Sequence, residues 1–136
     1  MEGKRFLLDT NIVSDLVRNP GGRVAQRIRN VGVETVCTSL VVAAELRFGA
    51  VEKGSRRLSA QLEAVIGALD ILPLEEPLDR RYAELRAALE QTGTPIGGND
   101  MLIAAHALAL GLTLVTADEQ EFTRVPALTV ENWLSS

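Results

Sequence analysis

Short apolar runs that end directly in helix-capping residues recur along this chain and leave few architectures open to it. Phe6-Leu7-Leu8 reads as a buried strand, and Asp9-Thr10-Asn11 follows at once with side chains that cap a helix starting near Ile12. The pattern returns at Thr35-Val36-Cys37, a β-branched strand, after which Thr38 and Ser39 cap a helix from Leu40 to about Val51. Between these units Pro20-Gly21-Gly22 breaks the first helix and Val24 to Val31 forms another. Strands that alternate with helices in this way point to an α/β sandwich with a mainly parallel central sheet.

The rest of the chain extends the alternation. Lys53-Gly54-Ser55 separates a helix over Leu58 to Leu69, and Asp70 to Leu74 reads as a third strand in which Pro73 suggests an edge or a strand end. Helical spacing through Tyr82, Leu85 and Leu89 places a helix over Leu78 to Glu90, ended by Thr92-Gly93-Thr94-Pro95. Asn99 or Asp100 opens a further helix to Leu110, which Gly111 closes. Leu112 to Val115 is a fourth strand and Leu128 to Val130 a fifth, so four or five strands are expected. With 136 residues the whole chain, 1–136, is expected to form one domain.

Apolar residues at 46% and charged residues at 24% exclude disordered and fibrous classes. The apolar stretch from Met101 to Val115 is broken by His106, Gly111 and Thr113 and is too short to span a membrane. The amino terminus lacks the length and cleavage pattern of a signal peptide, and the single Cys37 fits a reducing compartment, so a cytoplasmic location is expected. Cys37 reads as a small buried strand residue. The net charge of −4 argues at first against a polyanionic partner, but it is unevenly spread. Residues 1–57 carry ten basic and six acidic side chains, whereas residues 58–136 carry four and twelve. The basic set, which includes Arg18, Arg23, Arg27, Lys53, Arg56 and Arg57, forms either a polyanion-binding surface or ordinary solvated helix faces.

Four acids stand out by position. Asp9 and Asp118 lie just past the carboxyl ends of strands, the edge at which open α/β sheets bind ligands, although either acid also suits a helix cap. Glu45 has Val41, Val42, Phe48 and Gly49 as its helical neighbours and so falls on an apolar face. A carboxylate buried there requires a raised pKa, a cation or an ion pair, for instance with Arg47. Asp100 precedes Ile103, Ala104 and Ala107 on one helix face and could also serve the helix dipole. With no cluster of His or Cys, the four acids make an oxygen-only set suited to Mg²⁺ or Mn²⁺, ions that activate water against phosphodiesters. His106, the only histidine, sits among alanines and reads as a helix-packing residue.

These segments carry a family resemblance. Leu7-Leu8-Asp9-Thr10-Asn11, Ala44-Glu45-Leu46-Arg47-Phe48-Gly49, Gly98-Asn99-Asp100-Met101-Leu102-Ile103-Ala104-Ala105-His106-Ala107 and Thr116-Ala117-Asp118-Glu119-Gln120-Glu121-Phe122 resemble, in order and spacing, the four acidic motifs of PIN-domain ribonucleases. The likeness is greatest to VapC-type toxins of VapBC toxin–antitoxin modules and runs over almost the whole chain. It implies a PIN fold, an α/β/α sandwich, and cleavage of RNA that depends on Mg²⁺, with Mn²⁺ as substitute. It further implies a homodimer, neutralisation by a VapB-type antitoxin, and contact with operator DNA through that antitoxin. By position Asp9, Glu45, Asp100 and Asp118 would be the catalytic acids, with Asp9, Asp100 and Asp118 on the metal. Thr116, Asn11 and Asn99 would be accessory polar groups. Some relatives carry Asn where Asp118 stands, and Glu119 and Glu121 lie nearby as substitutes. Two other classes compete: an aspartate-nucleophile phosphatase, in which a second acid would stand at Asn11, and a catalytically idle binding module.

Overall fold

The computed structural model describes residues 3–135. Five strands form one parallel sheet: β1 (Phe6–Leu8), β2 (Val36–Ser39), β3 (Asp70–Leu72), β4 (Thr113–Val115) and β5 (Val130–Glu131), ordered β3-β2-β1-β4-β5. Central β1 is flanked on both sides, Leu7 lying opposite Cys37 and Leu114, which is why all three of its residues are apolar and buried. The chain builds outward from β1 to β2 and β3, then returns across the sheet to β4 and β5. The reversal leaves a crevice at the carboxyl ends of β1 and β4, the position at which such sheets hold ligands.

Helices α1 (Thr10–Arg18), α2 (Arg23–Val31), α3 (Leu40–Lys53), α4 (Arg56–Ala68), α5 (Leu78–Gln91) and α6 (Gly98–Leu110) connect the strands, and a single turn, α7 (Glu119–Phe122), follows β4. Most ends lie within two residues of those read from the sequence, and the differences have local causes. Asp9 accepts from the Thr10 amide and so starts α1 two residues before Ile12. Thr35 belongs to a 3-10 turn over Val33–Thr35, where its hydroxyl donates to the Gly32 carbonyl at 2.8 Å, and β2 therefore begins at Val36. Gly97, not Asn99 or Asp100, caps α6, and Gly111 closes that helix at φ +67 as read. A turn with Ala127 at φ 66 delays β5 to Val130. Pro73 follows edge strand β3, as its position in the sequence implied.

The main core joins both sheet faces through Leu8, Val42, Ile103, Leu114 and Phe122, while Ala43, Ala50, Leu62 and Ile66 seal α3 against α4. Trp133 meets the Phe6 ring edge-on, with centroids 5.2 Å apart, and the Arg27 guanidinium lies over the indole at 5.3 Å from its centroid. No helix among the described residues is long and apolar enough to cross a membrane. Phe122 is fully buried and anchors the one-turn α7 to the core. Phe122→Ala is expected to cost about 3–5 kcal/mol, read as a lower urea midpoint with little change in slope; an unchanged midpoint would contradict that anchoring.

Candidate functional site

β1 delivers Asp9 to the crevice. The Asp9 amide continues the ladder by donating to the Val115 carbonyl at 2.9 Å, and the residue is only 3% exposed. One carboxylate oxygen accepts from the Thr10 amide at 2.8 Å and the other from the Thr116 hydroxyl at 2.8 Å. Thr116 in turn accepts from the Asp118 amide at 3.0 Å, and Asn11 accepts from the Ala117 amide at 3.0 Å. The segment after β4 is thereby fixed against the start of α1. Burial pushes the Asp9 carboxyl above its ordinary value, the two hydrogen bonds oppose this, and the charges of Glu45 and Asp118 add to it.

Glu45 lies half-buried on α3, at the margin of the interior. Val41 and Val42 before it are buried, but Phe48 beyond it is 65% exposed, so the apolar face read from the sequence faces solvent along part of its length. Thr10 donates its hydroxyl to one Glu45 oxygen at 2.7 Å, and the Asn99 amide donates to the other at 3.4 Å. The ion pair weighed for Glu45 is not formed. Arg47 instead forks onto Glu63, with bonds of 3.0 and 2.9 Å, and no cation among the described residues neutralises Glu45.

Asp100, in the first turn of α6, stands over the buried Ile103, Ala104 and Ala107. Burial, a hydrogen bond shared with Glu121, and the charges of Glu121, Asp9 and Glu45 push its carboxyl up to about 7. Glu121 also accepts from the Gly97 amide at 3.1 Å, which fixes it at the start of α6. Asp118 is exposed and caps α7 by accepting from the Glu121 amide at 3.4 Å. Its charge bears on Asp9, while Glu121 faces Asp100. In the sequence Glu121 stands only as a nearby substitute for Asp118, whereas the fold sets it against Asp100.

Acids from four separated segments thus repel one another in a crevice. Among the described residues no three acidic, histidine or cysteine side chains form a finished coordination shell. The donors are nevertheless all oxygen and their charges uncompensated, which fits a hard divalent cation that would relieve every acid at once. The other two reactive side chain types stand apart. Cys37 is buried and donates to the Phe6 carbonyl, and burial pushes its thiol up to about 11, so it is no thiolate at neutral pH. His106 is buried against Ser39.

Comparison with known proteins agrees with this geometry. The PIN domain family matches residues 6–128. Ribonuclease VapC2 of Rickettsia felis is 37% identical over 130 residues, which cover 94% of this chain and 97% of that protein. The tRNA(fMet)-specific endonuclease VapC of Salmonella typhimurium is 32% identical, covering 95% and 98%. The crystal structure of VapBC2 from Rickettsia felis bound to a promoter DNA fragment superposes with a TM-score of 0.88 at 34% identity, over 94% of this chain and 98% of that one.

Because the Asp100 carboxyl rises from 3.8 to about 7 on folding, the folded chain binds more protons than the unfolded one in that window. Stability from this group is greatest below 3.8 and is lost as pH rises through about 7. In EDTA near pH 8, Asp100→Asn is expected to raise Tm by on the order of 2 °C, with the gain vanishing near pH 4. An equal gain at both pH values would show that repulsion among the acids is not its source.

Proposed function

Since the chain belongs to the PIN-domain family, in its VapC branch, we propose that it is the toxin of a VapBC-type module: a Mg²⁺- or Mn²⁺-dependent endoribonuclease restrained by its antitoxin. The observation that carries this reading is the group of mutually repelling carboxylates at the sheet's crossover, left without a cationic partner. Asp9, Glu45 and Asp100 would hold the ion, with Asp118 and Glu121 completing the acidic wall. When bound, the ion lowers the pKa of water and neutralises charge on the phosphate oxygens. The chain's own polar groups set the acids in place beforehand: Thr116 orients Asp9, and Thr10 and Asn99 hold Glu45 from two sides.

Substrate access has support in the basic half of the chain. Lys4, Arg27 and Arg47 are engaged within the fold by Asp70, Glu131 and Glu63. Arg18 and Lys53 form no ion pair among the described residues and line a groove between α1, α3 and α4 that reaches Glu45. Cations placed there meet RNA phosphates as they leave the acids. A second groove of about 750 Å³, formed by Leu40, Val41, Ala44, Phe48 and Leu74, opens beside Glu45 and Asn99. Its apolar floor next to uncompensated acids suits an antitoxin segment that carries a positive charge into the site. We assign the homodimer, the contact with operator DNA through the antitoxin, the cytoplasmic location and the single-domain organisation to the same reading.

Purified protein is expected to cleave RNA with Mg²⁺ or Mn²⁺ and to stop in excess EDTA. Asp9→Asn and Asp100→Asn should each lower the rate by at least about 100-fold, and Glu121→Gln by about 10-fold, more than Asp118→Asn. Undiminished cleavage in EDTA would refute the metal mechanism, and a larger loss for Asp118→Asn than for Glu121→Gln would reverse the order of the two acids. Induction in cells should arrest growth for the unaltered chain and not for Asp100→Asn; equal harmlessness would favour an idle binding module.

A further inference from the structure

His106 lies 2% exposed on α6, with its Nδ1 2.8 Å from the Ser39 hydroxyl, itself fully buried. Ser39 caps α3, its Oγ accepting from the Val41 amide at 3.2 Å. Burial holds the imidazole below its ordinary pKa and so favours the neutral ring, while the Pro73 backbone just beyond β3 opposes that shift. A neutral ring carries one bare nitrogen, and Ser39 Oγ, which already accepts from the Val41 amide, has its O–H free to donate to Nδ1. The arrangement suits a neutral Nε2–H tautomer, with Val41 N–H donating to Ser39 Oγ and Ser39 O–H donating to His106 Nδ1.

The joint is symmetric with respect to the proposed acids. Glu45 lies six residues after Ser39 on α3, and Asp100 lies six residues before His106 on α6. At ~1.5 Å rise per residue, each acid stands about 9 Å from the point where the two helices are tied. The Asn99–Glu45 hydrogen bond closes the far side of the triangle, but at 3.4 Å and in an exposed position. A rotation of about 10° at the joint would displace either acid by roughly 1.6 Å at that radius, enough to separate groups that must share one ion.

We infer that His106 is a positioning residue that sets the gap between Glu45 and Asp100 by accepting the Ser39 hydroxyl, so that α3 and α6 meet at a fixed angle. This inference rests on the cation-dependent reading above. Ordinary packing and positioning make opposite demands on the substitute. Leu fills the space and lacks an acceptor; Asn leaves a gap but places an amide near the position of Nδ1.

The test is Mn²⁺ titration by calorimetry, together with kcat and KM on a short RNA, for the full chain. His106→Leu is expected to weaken Mn²⁺ binding about 5-fold or more and to lower kcat about 10-fold with KM unchanged, while His106→Asn stays within about 3-fold of the parent despite its lower Tm. Ser39→Ala should match His106→Leu, and the double variant should be no worse than either single one. If His106→Leu does not fold, Ser39→Ala against Ser39→Thr, which restores the hydroxyl, reads the same bond. His106→Leu equal to the parent, or more active than His106→Asn, would overturn the inference and leave the function standing. Failure of the unaltered chain to bind Mn²⁺ or cleave RNA would overturn both.

Discussion

Asp9 is held almost out of water at the point where the sheet reverses its direction of growth, and both of its oxygens are committed to donors on either side. Burial alone makes its charge unfavourable, and the neighbouring acids increase the cost. The structure meets this with geometry: the Thr10 amide and the Thr116 hydroxyl converge on one carboxylate, which locks the start of α1 to the end of β4. Because the Thr116 hydroxyl also receives the Asp118 amide, the segment that carries Asp118 and Glu121 is placed by the same contact. Side chains so constrained lose little freedom when a cation arrives, and binding then need not order them.

An acidic chain acting on a polyanion is less contradictory than its net charge implies. Repulsion is concentrated in one crevice, where on the proposed reading a divalent ion would turn it into attraction for phosphate, and the cations of the first half of the chain divide between paired and unpaired ones. Lys4, Arg27 and Arg47 stabilise the fold by pairing with acids far along the sequence. The pairing of Arg47 with Glu63 also takes away the ion-pair partner that the sequence offered Glu45. A carboxylate whose neighbour is engaged elsewhere is left available.

Sequence patterns reveal elements wherever the reason for an element is local. Capping at Asp9 and Ser39, the Gly111 stop and the position of Pro73 are all properties of a few adjacent residues, and the elements beside them follow from these. Asp9 and Asp100 are legible because each interrupts apolar surroundings at an element boundary. Glu45 is legible for a partly mistaken reason, since the face it shares with Phe48 turns toward solvent where the sheet ends. The pairing of Glu121 with Asp100 and of His106 with Ser39 join segments more than 20 residues apart and leave no periodic trace. The one-turn α7 is too short to show a helical period at all.

That brevity bears on how such a site drifts over generations. The Asp9 carboxylate is bound both by its role as a cap and by Thr116, so exchange there disturbs two contacts together. The acids at 118, 119 and 121 stand at the cap and on the single turn of α7, so the loss of one leaves two others on the same short segment. The fold therefore keeps a rigid heritable centre and a spare supply of charge beside it. Substitutions can pass through the fourth acidic position without an intermediate that lacks an acid altogether.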